Sequence, residues 1–402
     1  MPFEIPDSWE WVRLEDVCTK FSTGPFGSML HKSDYMATGV PVVNPANIVK
    51  GAIHTEKIMY ISSEKAQELS KYILSSNDIL LARRGDLSKC AIATNDNVGW
   101  LCGTGSFVMH LCIVESVYFQ YVYATKYIQD LLSEASVGAT MDNLSQDAFS
   151  NILIPIPPQN EQQRIINEIN HSFDLIDSIN NSKRELIEVI NNTKSKVLNL
   201  AIHGKLVPQD PNDEPATELL KRINPSFKPC DTSHYENLPQ GWCILTVGEV
   251  ADYINGRAFK PSEWEKHGLP IIRIQNLNDG DASYNYSTAK FEDKYLIHNG
   301  DLLFAWAASL GTYIWQKDDA WLNQHIFKVI PKPFILRDFL YYSFINMIDD
   351  FYAESHGTGM VHITKGKFEK RPIYIPPIKE QQRIVDKIRL VLFSLDTITA
   401  EL

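Results

Sequence analysis

Between Asn160 and His203 apolar residues return every three or four positions, with no proline to interrupt them. Ile169, Ile176, Ile190 and Val197 fall in one heptad column and Ile166, Phe173, Ile187 and Ala201 in the other, the alternation that a coiled-coil seam requires. Asn180, Lys183 and Lys194 break those columns, which weakens the seam and helps fix its register. Ile165, Ile179, Leu186 and Leu200 widen the stripe beyond a two-stranded seam. Pro157 and Pro158 block helix upstream, Asn160 is the expected N-cap, and Gln163 stands where a capping-box partner reaches back. The pattern predicts one helix of about 40 residues, about 60 Å long.

The entry to this helix is written twice. Pro157-Pro158 followed by Glu161-Gln162-Gln163-Arg164-Ile165 returns as Pro376-Pro377 followed by Glu380-Gln381-Gln382-Arg383-Ile384. Behind the second copy Ile384, Val385, Ile388, Leu392, Leu395 and Ile398 repeat the apolar stripe. Two helices with matching faces in one chain are expected to pair, with Ile165, Ile169, Phe173, Ile176, Ile187, Ile190 and Val197 meeting Ile384, Ile388, Leu392 and Leu395. The second helix has about half the length of the first, so either the spacer is asymmetric or the chain stops inside a helix.

Repetition extends to the rest of the chain, as an internal repeat should. Gly39-Val40-Pro41-Val42-Val43 answers Gly268-Leu269-Pro270-Ile271-Ile272, and Asp78-Ile79-Leu80-Leu81-Ala82 answers Asp301-Leu302-Leu303-Phe304-Ala305, both apolar strands. Helical patterns at Phe119 to Leu132 and Phe339 to Phe351 accompany them, and a polar connection from Gly204 holds one short helix, Pro215 to Ile223. The expected fold is α+β: two repeated globular domains, 1–158 and 238–377, separated by a long antiparallel two-helix coiled-coil spacer, 159–203 and 378–402, with a linker at 204–237.

Composition narrows the function. Hydrophobic content of 44% and charged content of 22% are those of a globular protein. No segment suits a membrane span or signal peptide, and six cysteines without C-x-x-C spacing point to a reducing cytoplasm with neither zinc site nor disulfide framework. A net charge of -11 argues against autonomous tight binding to nucleic acid, whose readers neutralise phosphate. A role within a larger assembly remains compatible with it.

No catalytic word appears. The chain has no G-x-x-x-x-G-K-[ST], no H-E-x-x-H and no G-x-S-x-G. Gly103-Thr104-Gly105-Ser106 reads as a turn, because its counterpart Asn323-Gln324-His325-Ile326 keeps neither glycine. Recognition fits better, since base edges are read by bidentate and small polar side chains on loops held by a rigid frame. Such residues gather where the repeats diverge. Arg83, Arg84 and Lys89 form a cationic loop after a strand, opposite Trp306-Ala307-Ala308. Gly103-Thr104-Gly105, followed by Ser106, stands against Asn323-Gln324-His325, and Asn143 and Gln146 against His362, Lys365 and Lys367. Lys32, Arg257, Lys260, Arg273 and Gln275 complete the candidate set. On the residues alone, a non-catalytic repeat scaffold that binds protein partners stays open.

The proline-led words before both helices, together with Gly24-Pro25-Phe26-Gly27-Ser28, Gly39-Val40-Pro41 and His203-Gly204-Lys205-Leu206-Val207-Pro208, resemble the specificity subunit of type I restriction-modification systems. The likeness spans essentially the whole chain. It implies two target-recognition domains, each reading half of a bipartite double-stranded DNA site, and a spacer around which methyltransferase subunits dock. It further implies that motor-nuclease subunits join for cleavage, and that the S-adenosylmethionine, ATP and Mg sites lie in those partners, with no cofactor in this chain.

Overall fold

The computed structural model describes residues 2–136, 145–227, 238–355 and 363–402. Two compact units divide it, Met1–Ile179 and Asn180–Leu402, with the boundary inside the long helix.

In the first unit a four-stranded sheet runs in the order Cys18–Thr23, Ser106–Leu111, Ile79–Ala82, Cys90–Ile92. In the second the order is Ala251–Asn255, Ile326–Pro331, Leu302–Ala305, Gly311–Ile314, the same sheet built from the repeated words. A second sheet in each unit contains one parallel pair, Leu101–Cys102 beside Val40–Val43 and Ala320–Leu322 beside Leu269–Ile272. A two-stranded ribbon closes each domain: Glu10–Arg13 pairs antiparallel with Leu153–Ile156, and Cys243–Thr246 with Pro372–Ile375. The strand of each ribbon that carries the proline word therefore delivers the chain directly into a spacer helix. The first domain's helical pattern breaks into Ser116–Tyr123 and Lys126–Ser136, whereas the second forms one helix, Arg337–Ser355.

One paired carboxylate, buried in the first domain and half-buried in the second, holds each central strand by its entrance. Asp78 is fully buried and accepts from the Ser75 N–H at 2.9 Å, Lys20 Nζ at 2.9 Å and His110 Nδ1 at 2.9 Å. Asp301 accepts from the His298 N–H and pairs with Lys328 Nζ, both at 2.8 Å. The lysine comes from different strands in the two copies, Lys20 from the sheet edge and Lys328 from the middle. What is kept is the compensation of a carboxylate that would be costly to leave unpaired.

The long helix spans Gln159–Ile202, 44 residues, and the closing helix Ile378–Glu401, 24 residues. Within the second unit they run antiparallel, because Lys194 Nζ meets Asp396 at 2.5 Å while Lys183, further back, meets the backbone oxygen of Leu402. Ile190, Val197, Leu198 and Ala201 are buried, as are Ile384, Val385 and Ile388, with Leu392 half-buried on the same core and Leu395 half-buried beyond it. The expected seam thus forms over this part. Elsewhere it needs correction. Ile165 and Ile169 are half-buried, but Phe173 and Ile176 are 54% and 51% exposed. The same heptad pattern is therefore exposed in one stretch and packed against a helix in another. Ile187 lies half-buried at the changeover.

The repeated Glu-Gln-Gln-Arg word also acquires a reason. Gln162 and Gln381 are both 0% exposed. Gln162 Nε2 donates to the carbonyls of Ile113 and Pro157 at 3.1 and 3.0 Å, and its Oε1 accepts the Glu115 N–H at 2.8 Å. Gln381 Nε2 donates to Phe334 and Pro376 at 3.0 Å each, and its Oε1 accepts the Leu336 N–H at 2.8 Å. Each amide therefore ties the first turn of a spacer helix to the entrance of a domain helix. The expected reach-back by Gln163 does not occur: it bonds forward to Asn167, and the helix starts one residue before Asn160.

Replacing Gln381 by Leu leaves one N–H and two carbonyls without partners, which should cost about 3 kcal/mol in urea unfolding. Gln382→Leu, on the exposed face, should cost less than about 0.5 kcal/mol.

Candidate nucleic-acid interface

The loops that diverge between the repeats emerge beside the same strand end in each domain, and two glycines bring the backbone together there. A Cβ at Gly24 would lie 1.9 Å from the Gly103 carbonyl oxygen, and one at Gly256 would lie 2.0 Å from that of Asn323. The Gly24 N–H donates to Ser106 at 2.8 Å and the Gly256 N–H to Ile326 at 3.0 Å. Only glycine permits this approach, so the loop carrying Thr104 in one domain and Gln324 in the other is fixed against the first sheet strand.

In the first domain Arg83 differs from the solvent-loop cation expected of it. It is 8% exposed, its N–H bonds the Gly105 carbonyl at 2.9 Å, and its guanidinium stands 5.8 Å from the ring centre of Phe26. Burial, then neighbouring Arg84, lowers its pKa from the ordinary arginine value. It lines a cleft of about 530 Å³ with Phe21, Thr23, Phe26, Tyr72, Ser145 and Gln146. Arg84 and Gln146 are exposed, as is Lys32. Lys89 points elsewhere, its Nζ donating to the Pro45 carbonyl at 3.0 Å. Thr104 is half-buried, and Ser106 is fully buried with no partner for Oγ among the described residues. Asn143 lies outside the described residues.

In the second domain the strand-end place is taken by Trp306. Its Nε1 donates to Asn255 Oδ1 at 3.0 Å and its ring meets His325 edge-on at 4.9 Å between centroids. Gln324 and Gln275 are exposed, and Lys260, Lys365 and Lys367 lie at the surface, Lys365 paired with Glu369 at 3.5 Å. Arg257 is committed internally. It forms a bidentate pair with Glu263 at 2.9 and 2.6 Å and packs between the rings of Phe259 and Phe291. Arg273 stands over Trp264 at 5.6 Å, its Nε buried without a partner among the described residues. His362 lies outside the described residues.

The structure thus brings Arg83 and Gln146 into one cleft and sets Gln324 and His325 on one turn, while Lys89 and Arg257 are spent on the fold. Phe26, Tyr72, Asn255 and Trp306 belong to these places and were not among the candidates. The signal for Trp306 was its alignment with Arg83; for the aromatic residues it was absent, because a loop aromatic has no period. Among the described residues no helix is long and apolar enough to cross a membrane, and no group of side chains is placed to hold a metal ion.

A family model described as the type I restriction modification DNA specificity domain matches residues 6–189 and again 239–401. The EcoAI specificity subunit of Escherichia coli is 24% identical, over 96% of this chain and 78% of its own. The EcoKI specificity subunit of Escherichia coli K12 is 23% identical, over 91% and 77%. The crystal structure of the HsdS subunit from Thermoanaerobacter tengcongensis superposes with a TM-score of 0.64 at 21% identity, covering 100% of this chain and 93% of that one. A chain from a structure of type I restriction-modification complex assembly gives 0.60 at 21% identity, covering 100% and 94%. The likeness extends to two domains with a helical spacer.

The pair that Arg257 makes is testable through pH. Hydrogen bonding from Arg257, then from the Lys260 N–H, lowers the Glu263 carboxyl from its ordinary 4.5 to about 2. A depressed carboxylate stabilises fully above its unfolded value and loses that contribution as pH falls through the folded one. The melting-temperature difference between wild type and Glu263→Gln should therefore be full above pH 4.5 and shrink toward pH 2. A constant difference would show that the pair contributes through packing alone.

Proposed function

Because the chain belongs to the type I restriction-modification DNA specificity family, we propose that each domain reads one half of a bipartite duplex site and that the paired helices set the gap between the halves. The observation that carries this reading is the contrast within an identical frame. Both domains place a side chain at the same strand end, buttressed by the same glycine contact, and that side chain is Arg83 in one and Trp306 in the other. Two copies of one scaffold with different chemistry at the same address suit two different short sequences.

Catalysis on this reading resides in partner subunits: methyltransferase subunits that bind S-adenosylmethionine, and motor-nuclease subunits that use ATP and Mg. The spacer supplies apolar surface for docking, since Phe173, Leu175 and Ile176 of the long helix and Leu390 and Phe393 of the closing helix are each at least 51% exposed. Patches of this kind mark interaction sites. The net charge of -11 fits a reader whose affinity is completed by partner chains.

Inserting seven residues into both helices lengthens each by about 10 Å, which should widen the tolerated gap by about three base pairs. Site-selective methylation by the assembled complex reads this out, and an unchanged gap would defeat the ruler. In the same assay Arg83→Ala and Arg84→Ala should weaken discrimination at one half-site only. Equal loss at both halves would make them phosphate anchors.

A further inference from the structure

The two copies of the Glu-Gln-Gln-Arg word keep different company. In the second unit the chain that leaves the long helix runs over the word as a strap. Gly204, at φ +67°, lies so near Pro239 and Trp242 that an added Cβ would stand 2.4 and 3.0 Å from them. Farther along, Gln209 Nε2 donates to one oxygen of Glu380 and Trp242 Nε1 to the other, each at 3.1 Å. Asp213, 8% exposed, pairs with Arg383 at 2.7 Å, and the Ala216 N–H closes the strap on the Gly241 carbonyl at 2.8 Å.

The first unit repeats the receiving side chains and their frame. The Trp9 N–H bonds the Pro6 carbonyl at 2.8 Å, as the Trp242 N–H bonds that of Pro239 at 3.2 Å, and Glu161 and Arg164 stand where the word places Glu380 and Arg383. Here none of the three is answered. Trp9 Nε1 is buried with no hydrogen-bond partner among the described residues. Glu161 is half-buried and Arg164 exposed, and neither side chain has a hydrogen bond or ion pair among those residues. A buried N–H without an acceptor is costly, and the second unit shows what removes the cost. The apolar side agrees, since Phe173 and Ile176, 54% and 51% exposed, match Leu392 and Leu395, which are half-buried.

We propose that Trp9, Glu161 and Arg164 form a docking site for a segment of a separate protein, an amphipathic helix that ends at a glycine and continues as a strap carrying an amide donor and an aspartate. The aspartate pairs with Arg164 and the amide donates to one oxygen of Glu161. The other oxygen then accepts from Trp9 Nε1. A second copy of this chain is the weaker occupant, because its strap is already held by Glu380 and Arg383. The site concerns assembly and stands apart from whether the domains read DNA.

The probe is a synthetic peptide with the sequence of residues 197–216, the one strap whose fit to such a site is on view. It is titrated into the full chain labelled with nitrogen-15 at tryptophan, and the Trp9 indole resonance is assigned with Trp9→Phe. That N–H should move downfield saturably as it gains an acceptor. Arg164→Ala in the chain, or Asp213→Asn in the peptide, should weaken binding about tenfold, and the two together no further than either alone. Arg383→Ala should leave the Trp9 response as it is. The proposal is overturned if the Trp9 resonance does not move, if Arg164→Ala binds the peptide as wild type does, or if Arg383→Ala removes the response, since the peptide would then be replacing the strap of the second unit. A resonance already shifted in the chain alone and restored by dilution would give the site to a second copy and overturn the choice of a separate protein.

Discussion

Two buried glutamine side chains hold the architecture together. Gln162 and Gln381 each sit in the first turn of a spacer helix, and each satisfies an N–H and a carbonyl of the segment leading into a domain helix and a carbonyl of the proline word before its own helix. A buried amide with three partners is costly to misplace, since any rotation of the spacer helix against its domain strands several polar groups at once. Apolar packing of Ile166 or Ile384 would tolerate small slips; the amides do not. The second anchor is reinforced by Glu380, which accepts from Trp242 Nε1 and Gln209 Nε2 at 3.1 Å each, and by Arg383, which pairs with Asp213 at 2.7 Å. Burial raises the Glu380 carboxyl, opposed by those two hydrogen bonds.

A rigid attachment makes sense of domains whose interiors are alike and whose loops are not. Asp78 and Asp301 brace the central strands, while Gly24 and Gly256 bring the loops close. With those fixed, the residue after each central strand is free to change chemistry without changing place. On the proposed reading, specificity varies by substitution at loops while the bracing groups beneath them keep the geometry.

Much of this was legible in the chain. The proline words and heptads announced two helices and their pairing, because periodicity and helix-blocking prolines act locally. The repeated strands were found by matching words and not by propensity. What failed had a common cause, that sequence shows a residue's type and not whom it meets. Gln162 and Gln163 are indistinguishable by spacing, yet one is buried and the other solvated. Arg257 looked like a free cation until Glu263 and two rings claimed it, and Phe173 and Ile176 looked like seam residues but are exposed. Arg83 kept its place at the strand end but turned inward.

The claim beneath all of this is that the glutamine amides lock helix to domain. Amide hydrogen exchange at Glu115 and Leu336 measures it directly, since each N–H lies outside the sheets and donates to a glutamine Oε1. The account requires both amides to exchange as slowly as those of the neighbouring central strands, opening only when the domain unfolds. Exchange at the rate of exposed loop amides would show that the helices pivot on their domains and that the spacer fixes nothing.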